Sequence, residues 1–246
     1  MAKPNPNIDS YLLVGMEAKI ELKWVRAAQQ DRSRRTMNRI LDATETLLLK
    51  RGFDHVGVAE IAHQACVSVG AIYARFQDKN GLLQVLHQRF SEEAMVTTEA
   101  ALGPNRWEGA TTAEIIGALV GFLVRIHSER AGLLRAFSLY GRNDPHFQAR
   151  NRRMTENFLE RLQTLLRARH GEIGHPNPEL AISFGLALVS GVLKNTFILG
   201  EGVPEPGTLS LEALETELLR AYRDYLHLAP AANEDGTDSG HSRETG

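Results

Sequence analysis

The sequence predicts an all-α chain: an N-terminal three-helix head built around a helix-turn-helix, followed by a larger helical body. Three observations carry that prediction. Residues 58–76, VAEIAHQACVSVGAIYARF, read as two short helices joined by a tight turn. Side-chain caps followed by apolar residues at helical spacing recur at Ser68, Asp78, Thr111, Asp144 and Asn177. The charge also divides the chain: residues 1–89 hold 13 Lys/Arg against 9 Asp/Glu, net +4, and residues 90–246 hold 15 against 21, net −6. A head attracted to polyanions, carried on a body that is not, would produce that split.

The totals exclude several classes. With 43% apolar and 24% charged residues, a chain of 246 residues has ordinary globular composition and room for one large or two small cores. The single cysteine, Cys66, rules out an internal disulfide and fits a reducing cytoplasm. The opening MAKPNPNIDS lacks the apolar run of a signal peptide. The longest apolar runs, 115–124 and 180–193, fall short of the roughly 20 residues a membrane span needs. A cytoplasmic protein with no membrane segment is expected.

Taken in order, residues 1–10 are rich in Pro and Asn and are expected to be disordered. From 11 to 24, Leu12, Met16, Ile20 and Trp24 keep helical spacing, while Ile20, Leu22 and Trp24 alternate like a strand; helix is the preferred reading. Arg32, Arg34 and Arg35 follow, just ahead of the first head helix. They read as a basic arm reaching phosphates or a neighbouring minor groove, or as a solvated charge run. Residues 36–51 carry Ile40, Leu41, Thr44, Leu47 and Leu48 on one face, with Lys50 and Arg51 in the last turn and Gly52 to close it.

In the next helix Val58, Ile61, Ala62 and Ala65 form a one-sided apolar stripe. The chain breaks at Cys66-Val67, and Ser68 caps the following helix. There Ile72 and Phe76 share one face, Gly70, Ala71 and Ala74 the opposite one, and Tyr73 and Arg75 flank the latter. An outer face so poor in side chains suits insertion into a major groove, because bulk would hold the helix out. Asp78 then caps a helix that runs to about residue 102, where Gly103-Pro104 ends it and head is joined to body.

The body opens with a capping box, Thr111 with Glu114. Residues 115–126 are apolar almost all round, with Gly117 and Gly121 permitting a close neighbour, and 131–140 form a short apolar helix. Asp144-Pro145 starts a helix through residue 170 with Phe147, Asn151, Met154, Phe158, Leu162 and Leu165 inward. Asn177-Pro178 starts another, 179–199, apolar on nearly every side. The last, 211–228, is striped by Leu211, Leu214, Leu218, Tyr222 and Tyr225. An all-round apolar helix beside a striped one suggests a two-fold four-helix interface, with Leu186, Val189, Leu193, Leu214, Leu218 and Tyr222 as its residues. The tail from 229 is small, polar and expected to be disordered.

The string RILDATETLLLKRGFDHVGVAEIAHQACVSVGAIYARFQDKNGLL, residues 39–83, resembles the TetR family of bacterial transcriptional regulators. The resemblance covers the whole head without a gap. It implies a homodimer, two DNA-binding heads and a C-terminal ligand-sensing helical domain. By position in the motif, Val69, Gly70, Ala71, Tyr73, Ala74 and Arg75 are the residues expected to face a double-stranded operator, with Lys79 on a phosphate. Gly57, Val58 and Ser68 complete the expected DNA-binding set. Three positions depart from the pattern: Gly57 where Ser or Thr is usual, Cys66 where the turn usually has Gly, and Val69 where a polar residue is common. The expected organisation is therefore 1–35 N-terminal extension and basic arm, 36–83 DNA-binding domain, 84–228 ligand-sensing and dimerisation domain, and 229–246 tail.

For each singled-out residue a plainer role competes. Arg75 reads guanine or merely touches phosphate; Lys79 meets an anion or is an idle surface lysine; Cys66 senses oxidation or is a small turn residue. The nine histidines show no metal-ligand spacing, so neither metal nor other cofactor is expected. His127, Tyr140, Asn157, Phe158 and Phe197 are candidates to line a pocket for a hydrophobic or aromatic effector, or are core residues. The expected function is a repressor released from a palindromic operator by a small molecule. The alternatives are a DNA-binding regulator with no effector, and a small helical enzyme, against which stand the missing GxSxG, phosphate loop and carboxylate pair.

Overall fold

The structure, a computed structural model, describes residues 30–200 and 209–229. Every regular element among them is helical. The head holds α1 (Gln30–Arg51), α2 (Val58–Gln64) and α3 (Val69–Tyr73), and α4 (Lys79–Ala101) leads out of it. After a 3₁₀ turn, Pro104–Trp107, the body adds α5 (Thr112–Glu129), α6 (Ala131–Tyr140), α7 (Pro145–Arg167), α8 (Pro178–Leu193) and α9 (Leu211–Leu226). The expectations for residues 1–24 and for the tail beyond 229 lie outside the described residues.

The helix starts follow the caps. Asp78 accepts from the Gly81 amide at 2.7 Å, and Asn177 from Leu180 at 3.1 Å. Asp144 accepts from both His146 and Phe147, and Thr111 and Glu114 close a reciprocal capping box. Three expected boundaries are corrected. First, α1 begins at Gln30, so Arg32, Arg34 and Arg35 lie on its first turns and not in an arm ahead of it; QDRSRR contains no Gly or Pro to stop a helix. Second, α7 ends at Arg167, and His170–Glu172 form a separate 3₁₀ turn.

Third, α8 passes into a π-helical turn, Lys194–Leu199, closed by Gly200 at φ +69°. With that turn the segment Pro178–Leu199 is 22 residues long with an 18-residue window of mean hydropathy 1.6, long and apolar enough to cross a membrane. Lys194 and Asn195 interrupt the apolar run, which is why a count of residues 180–193 fell short. Its inner residues Ala181, Ile182, Val189 and Leu193 are fully buried in the body, while 33% of the window is buried in all.

The body core gathers Trp107, Ile116, Val120, Leu162, Leu166, Ile182, Leu218 and Leu226. Tyr222 crosses from α9 to α8: its hydroxyl donates to the Ile182 carbonyl at 2.7 Å, and its ring fills the space a Cβ on Gly185 would need. This core also contains the six residues expected at a dimer interface. Leu186, Val189, Leu193, Leu214, Leu218 and Tyr222 are at most 8% exposed within one subunit, so they face inward and not toward a second copy. A stripe marks a helix's buried face whichever partner buries it.

The head core is not made by the head alone. Ile40, Leu41 and Leu48 of α1, Ile61, Ile72, Phe76, and Leu82, Leu83 and Leu86 of α4 pack with Leu133, Ala136 and Phe137 of α6 and Phe147 of α7. Gly132 makes that approach possible, because a Cβ there would lie 2.6 Å from the Leu48 carbonyl oxygen. Beside this contact, Arg89 of α4 is 7% exposed and holds Asp42 at 2.5 Å and Glu45 at 2.8 Å on α1. Arg130, between α5 and α6, takes the other Glu45 oxygen at 2.8 Å.

Along α4 and α7, which run parallel, His87 is buried and stacked on Phe147, 4.1 Å between centroids. Arg150 Nε can only donate, so at 3.0 Å it makes Nδ1 the acceptor and leaves the proton on Nε2, facing Asn151 Oδ1 at 2.9 Å. Burial is the main cause that lowers the His87 pKa from 6.5 to about 4; Arg150 adds to it and Asn151 opposes it. The unfolded chain therefore takes up this proton first as pH falls. The stabilisation is fully present above pH 6.5 and is lost toward pH 4, on the order of 3 kcal/mol. Urea unfolding at successive pH values should show stability falling across this window, and the fall should be much smaller in His87→Gln. Equal falls in both proteins would assign the acid sensitivity elsewhere.

Candidate nucleic-acid interface

The interface is assembled by short-range constraints. Arg51, at the end of α1, pairs with Glu60 of α2 and donates to the His55 carbonyl at 2.8 Å, fixing the α1–α2 corner. Gly57 stands at the N-cap of α2 without a side-chain cap bond, and a Cβ there would meet nothing within 4 Å. The turn after α2 is a Schellman motif: the Val67 amide donates to Ala62 O at 2.9 Å and the Cys66 amide to His63 O at 3.1 Å. Its C′ residue, Cys66, has φ +51°. That is the physical content of a glycine preference at this position, since a Cβ is disfavoured there.

Ser68 then caps α3, accepting from the Ala71 amide at 3.1 Å. Five residues do not hold a helix in water. What holds α3 is Ile72 and Phe76, 2% and 3% exposed, driven into the head core. The opposite face is open: Gly70, Tyr73 and Ala74 are exposed, Val69 is 40% exposed, and Ala71 is half-buried. Val58 is half-buried against the head core.

The two expected cationic contacts are less free than their positions suggest. Arg75 is half-buried, its Nη1 donates to the Ala71 carbonyl at 2.9 Å, and its Nε is buried without a hydrogen-bond partner. The Lys79 ammonium donates to the Phe53 carbonyl and lies 4.1 Å above the Phe53 ring. Desolvation lowers its pKa, and Asp54 acts in the opposite sense. On α1, Arg34 and Arg35 are exposed, while the Arg32 side chain lies outside the described residues. Arg39, which the sequence reading passed over, lines a shallow groove with Arg35, Asn38 and Asp42; its i+4 spacing from Arg35 was the available signal.

Of the five pocket candidates, one is engaged outside the body. Tyr140 leaves the set: its hydroxyl donates to Asp54 and its ring packs on Phe53, at the junction with the head. No sequence signal links positions 86 apart. Phe158 and Phe197 pack against the body core. His127 is partly buried, with Nδ1 2.8 Å from the Leu123 carbonyl, and burial lowers its pKa. Asn157 keeps a buried Oδ1 without a hydrogen-bond partner.

Cys66→Gly should raise the melting temperature, by up to about 1 kcal/mol of stability after the entropy of glycine is set against the relieved strain. Cys66→Val should lower it, because a β-branched residue tolerates positive φ worst. If both melt like the parent, the turn is not strained.

Comparison with known proteins places this geometry. Residues 40–86 match the family model described as bacterial regulatory proteins, tetR family, and residues 111–226 match the tetracyclin repressor-like C-terminal domain. An uncharacterized HTH-type transcriptional regulator of Bacillus subtilis, YvkB, is 41% identical over 58 residues, covering 24% of this chain and 31% of that protein. Among solved structures, a proposed TetR-family regulator from Mesorhizobium loti superposes with TM-score 0.63 at 20% identity, over 80% of this chain and 98% of its own. FadR of Bacillus subtilis, in complex with stearoyl-CoA, gives 0.55 at 20% identity over 75% and 96%. NalD, the secondary repressor of a multidrug efflux pump in Pseudomonas aeruginosa, gives 0.53 at 20% over 79% and 97%. At such identities the structures speak for the fold, and the two sequence models, one on the head and one on the body, speak for the lineage: this chain belongs to the TetR family of DNA-binding transcriptional regulators.

Proposed function

We propose that the protein is a homodimeric repressor that binds a palindromic operator and is released by a hydrophobic or aromatic small molecule held in the body. The observation that carries the reading is the outer face of α3: Gly70, Ala71 and Ala74, flanked by Tyr73 and Arg75, on a helix whose other face is locked into the head core. That face can lie against base edges in a major groove with Val69 and Tyr73 as its apolar contacts. Ser68 and Lys79 lie next to it along the chain, and with the exposed Arg34 and Arg35 of α1 they suit phosphates, as would Arg32; Gly57 and Val58 let the start of α2 approach the backbone closely.

The dimer reading moves to the side of α8 that the body leaves bare. Leu180 and Phe184 are 53% and 50% exposed, and Ala187 and Gly191 continue the same face at helical spacing. Val192, 38% exposed, borders it, and Tyr225 of α9 packs 4.9 Å from Phe184. Two such faces, with small residues in the middle, suit an isologous contact. FadR with stearoyl-CoA and the repressor NalD show what this scaffold does in other proteins, and they support an effector and repression here. A regulator without an effector is the rival; a thermal-shift screen separates the two, because a sensor is stabilised by some compound.

Binding to the DNA flanking its own gene, against random duplex at two salt concentrations, tests the reader. Specific binding should survive competitor and protect a palindrome, whereas equal, salt-labile binding to both would leave only the phosphate term. Arg75→Ala should weaken operator binding by about tenfold or more and random DNA much less; equal weakening would reduce Arg75 to a phosphate contact. Phe184→Asp should give a monomer in sedimentation and a large loss of operator affinity, and a persisting dimer would move the interface off α8.

A further inference from the structure

Lys79 opens α4 at the border of the surface proposed to face DNA. Its ammonium has three donors; one is taken by the Phe53 carbonyl, so two remain for a phosphate. The cation also rests on the Phe53 ring. Phe53 is 7% exposed and also packs on Tyr140, at the last turn of α6, with ring centroids 4.3 Å apart and planes tilted by 53°. The Tyr140 hydroxyl donates to Asp54, the next residue along the loop. One residue of the body thus holds both members of the two-residue segment that holds Lys79.

The other contacts of α6 show what would move Tyr140. Arg135 donates to the carbonyls of Phe197 at 3.0 Å and Ile198 at 3.1 Å, in the π-helical turn that follows α8. Gly132, Leu133, Ala136 and Phe137 seat the same helix on the head. A shift in the α8 region therefore reaches the Phe53–Asp54 loop through one rigid helix of ten residues.

We infer that Tyr140 is a positioning residue for Lys79: by gripping the Phe53 ring and the Asp54 carboxylate, the body fixes the Phe53 carbonyl that pre-orders the ammonium for a backbone phosphate. The inference rests on the reading of the head as a DNA reader. A lysine with four flexible bonds loses its freedom on gripping a phosphate, and one held beforehand loses less. Displacing α6 would then remove a phosphate contact without unfolding the head.

The test uses the full chain and a random-sequence duplex of roughly 30 base pairs, since the phosphate term is independent of sequence. Affinity is measured by anisotropy between about 50 and 200 mM salt. Lys79→Met should reduce the slope of log K against log salt by about one per subunit. Tyr140→Phe keeps the ring but loses the hydroxyl. It should reduce the slope in the same sense and weaken binding about threefold to tenfold at ~0.15 M salt. The double variant should bind no more weakly than Lys79→Met alone. Tyr140→Leu, which also removes the ring, should move further toward Lys79→Met, and melting temperatures of all variants show that the fold is kept. A Tyr140→Phe slope equal to that of the parent, or additive losses in the double variant, overturns the inference. So does a Lys79→Met slope equal to that of the parent, which leaves the DNA reader standing; absence of any salt-dependent binding by the parent overturns both.

Discussion

The rest of the structure depends on one shared core. Leu133, Ala136 and Phe137 of α6 are inside the same apolar cluster as Leu48, Ile72 and Phe76 of the head. At up to about 1.5–3 kcal/mol for each large buried side chain, these body residues supply a substantial part of what keeps a head of this size folded. The head is thus not a module hung on α4. It is completed by the body, and Gly132 against the Leu48 carbonyl marks a close approach of the two backbones.

That constraint shapes the surface proposed to face DNA. α3 can have an outer face of glycine and alanine only because its inner face is held so firmly, and because the Schellman turn and the Ser68 cap set its direction before any DNA is present. Polar groups complete the orientation. Arg89 and Arg130 converge on Asp42 and Glu45, tying α1 to α4 and to the α5–α6 corner. Arg89 is the buried charge of this set; stripping it of its partners would be costly, so it fixes one arrangement, while Arg130 is the more exposed member.

What was legible in the sequence was local. Caps at Ser68, Asp78, Thr111, Asp144 and Asn177 sit where side chain and first turn are neighbours in the chain, and each was read correctly. The helix-turn-helix was legible for the same reason. The start of α1 is not legible, because a run of arginines looks the same on a helix as in an arm. The inward Leu186 and Val189 look like interface in the sequence because periodicity reports a buried face and not what buries it. For Tyr140 the sequence offers a pocket or the core and not the head junction, because an aromatic residue on an apolar helix carries no record of a carboxylate far away in the chain. Fold lies in short-range pattern; the contacts that join head to body lie in long-range pairs of single residues.

The shared core also limits how an effector could act. Tilting the head as a free pendulum would separate Leu133 and Phe137 from α1 and α4, and opening such contacts costs about 2–5 kcal/mol for each large residue. Allosteric couplings are typically about 1–3 kcal/mol, so an effector that had to open this core would fall short. The polar contacts at the junction are different. Tyr140 with Asp54, Lys79 with the Phe53 carbonyl, and Arg130 with Glu45 lie near solvent and can exchange partners with water, at a net cost of about 1–3 kcal/mol each. Packed interfaces switch between discrete arrangements and do not deform continuously. The two states of a sensor built on this fold would therefore keep the apolar seat of α6 and differ in which of these polar contacts are made.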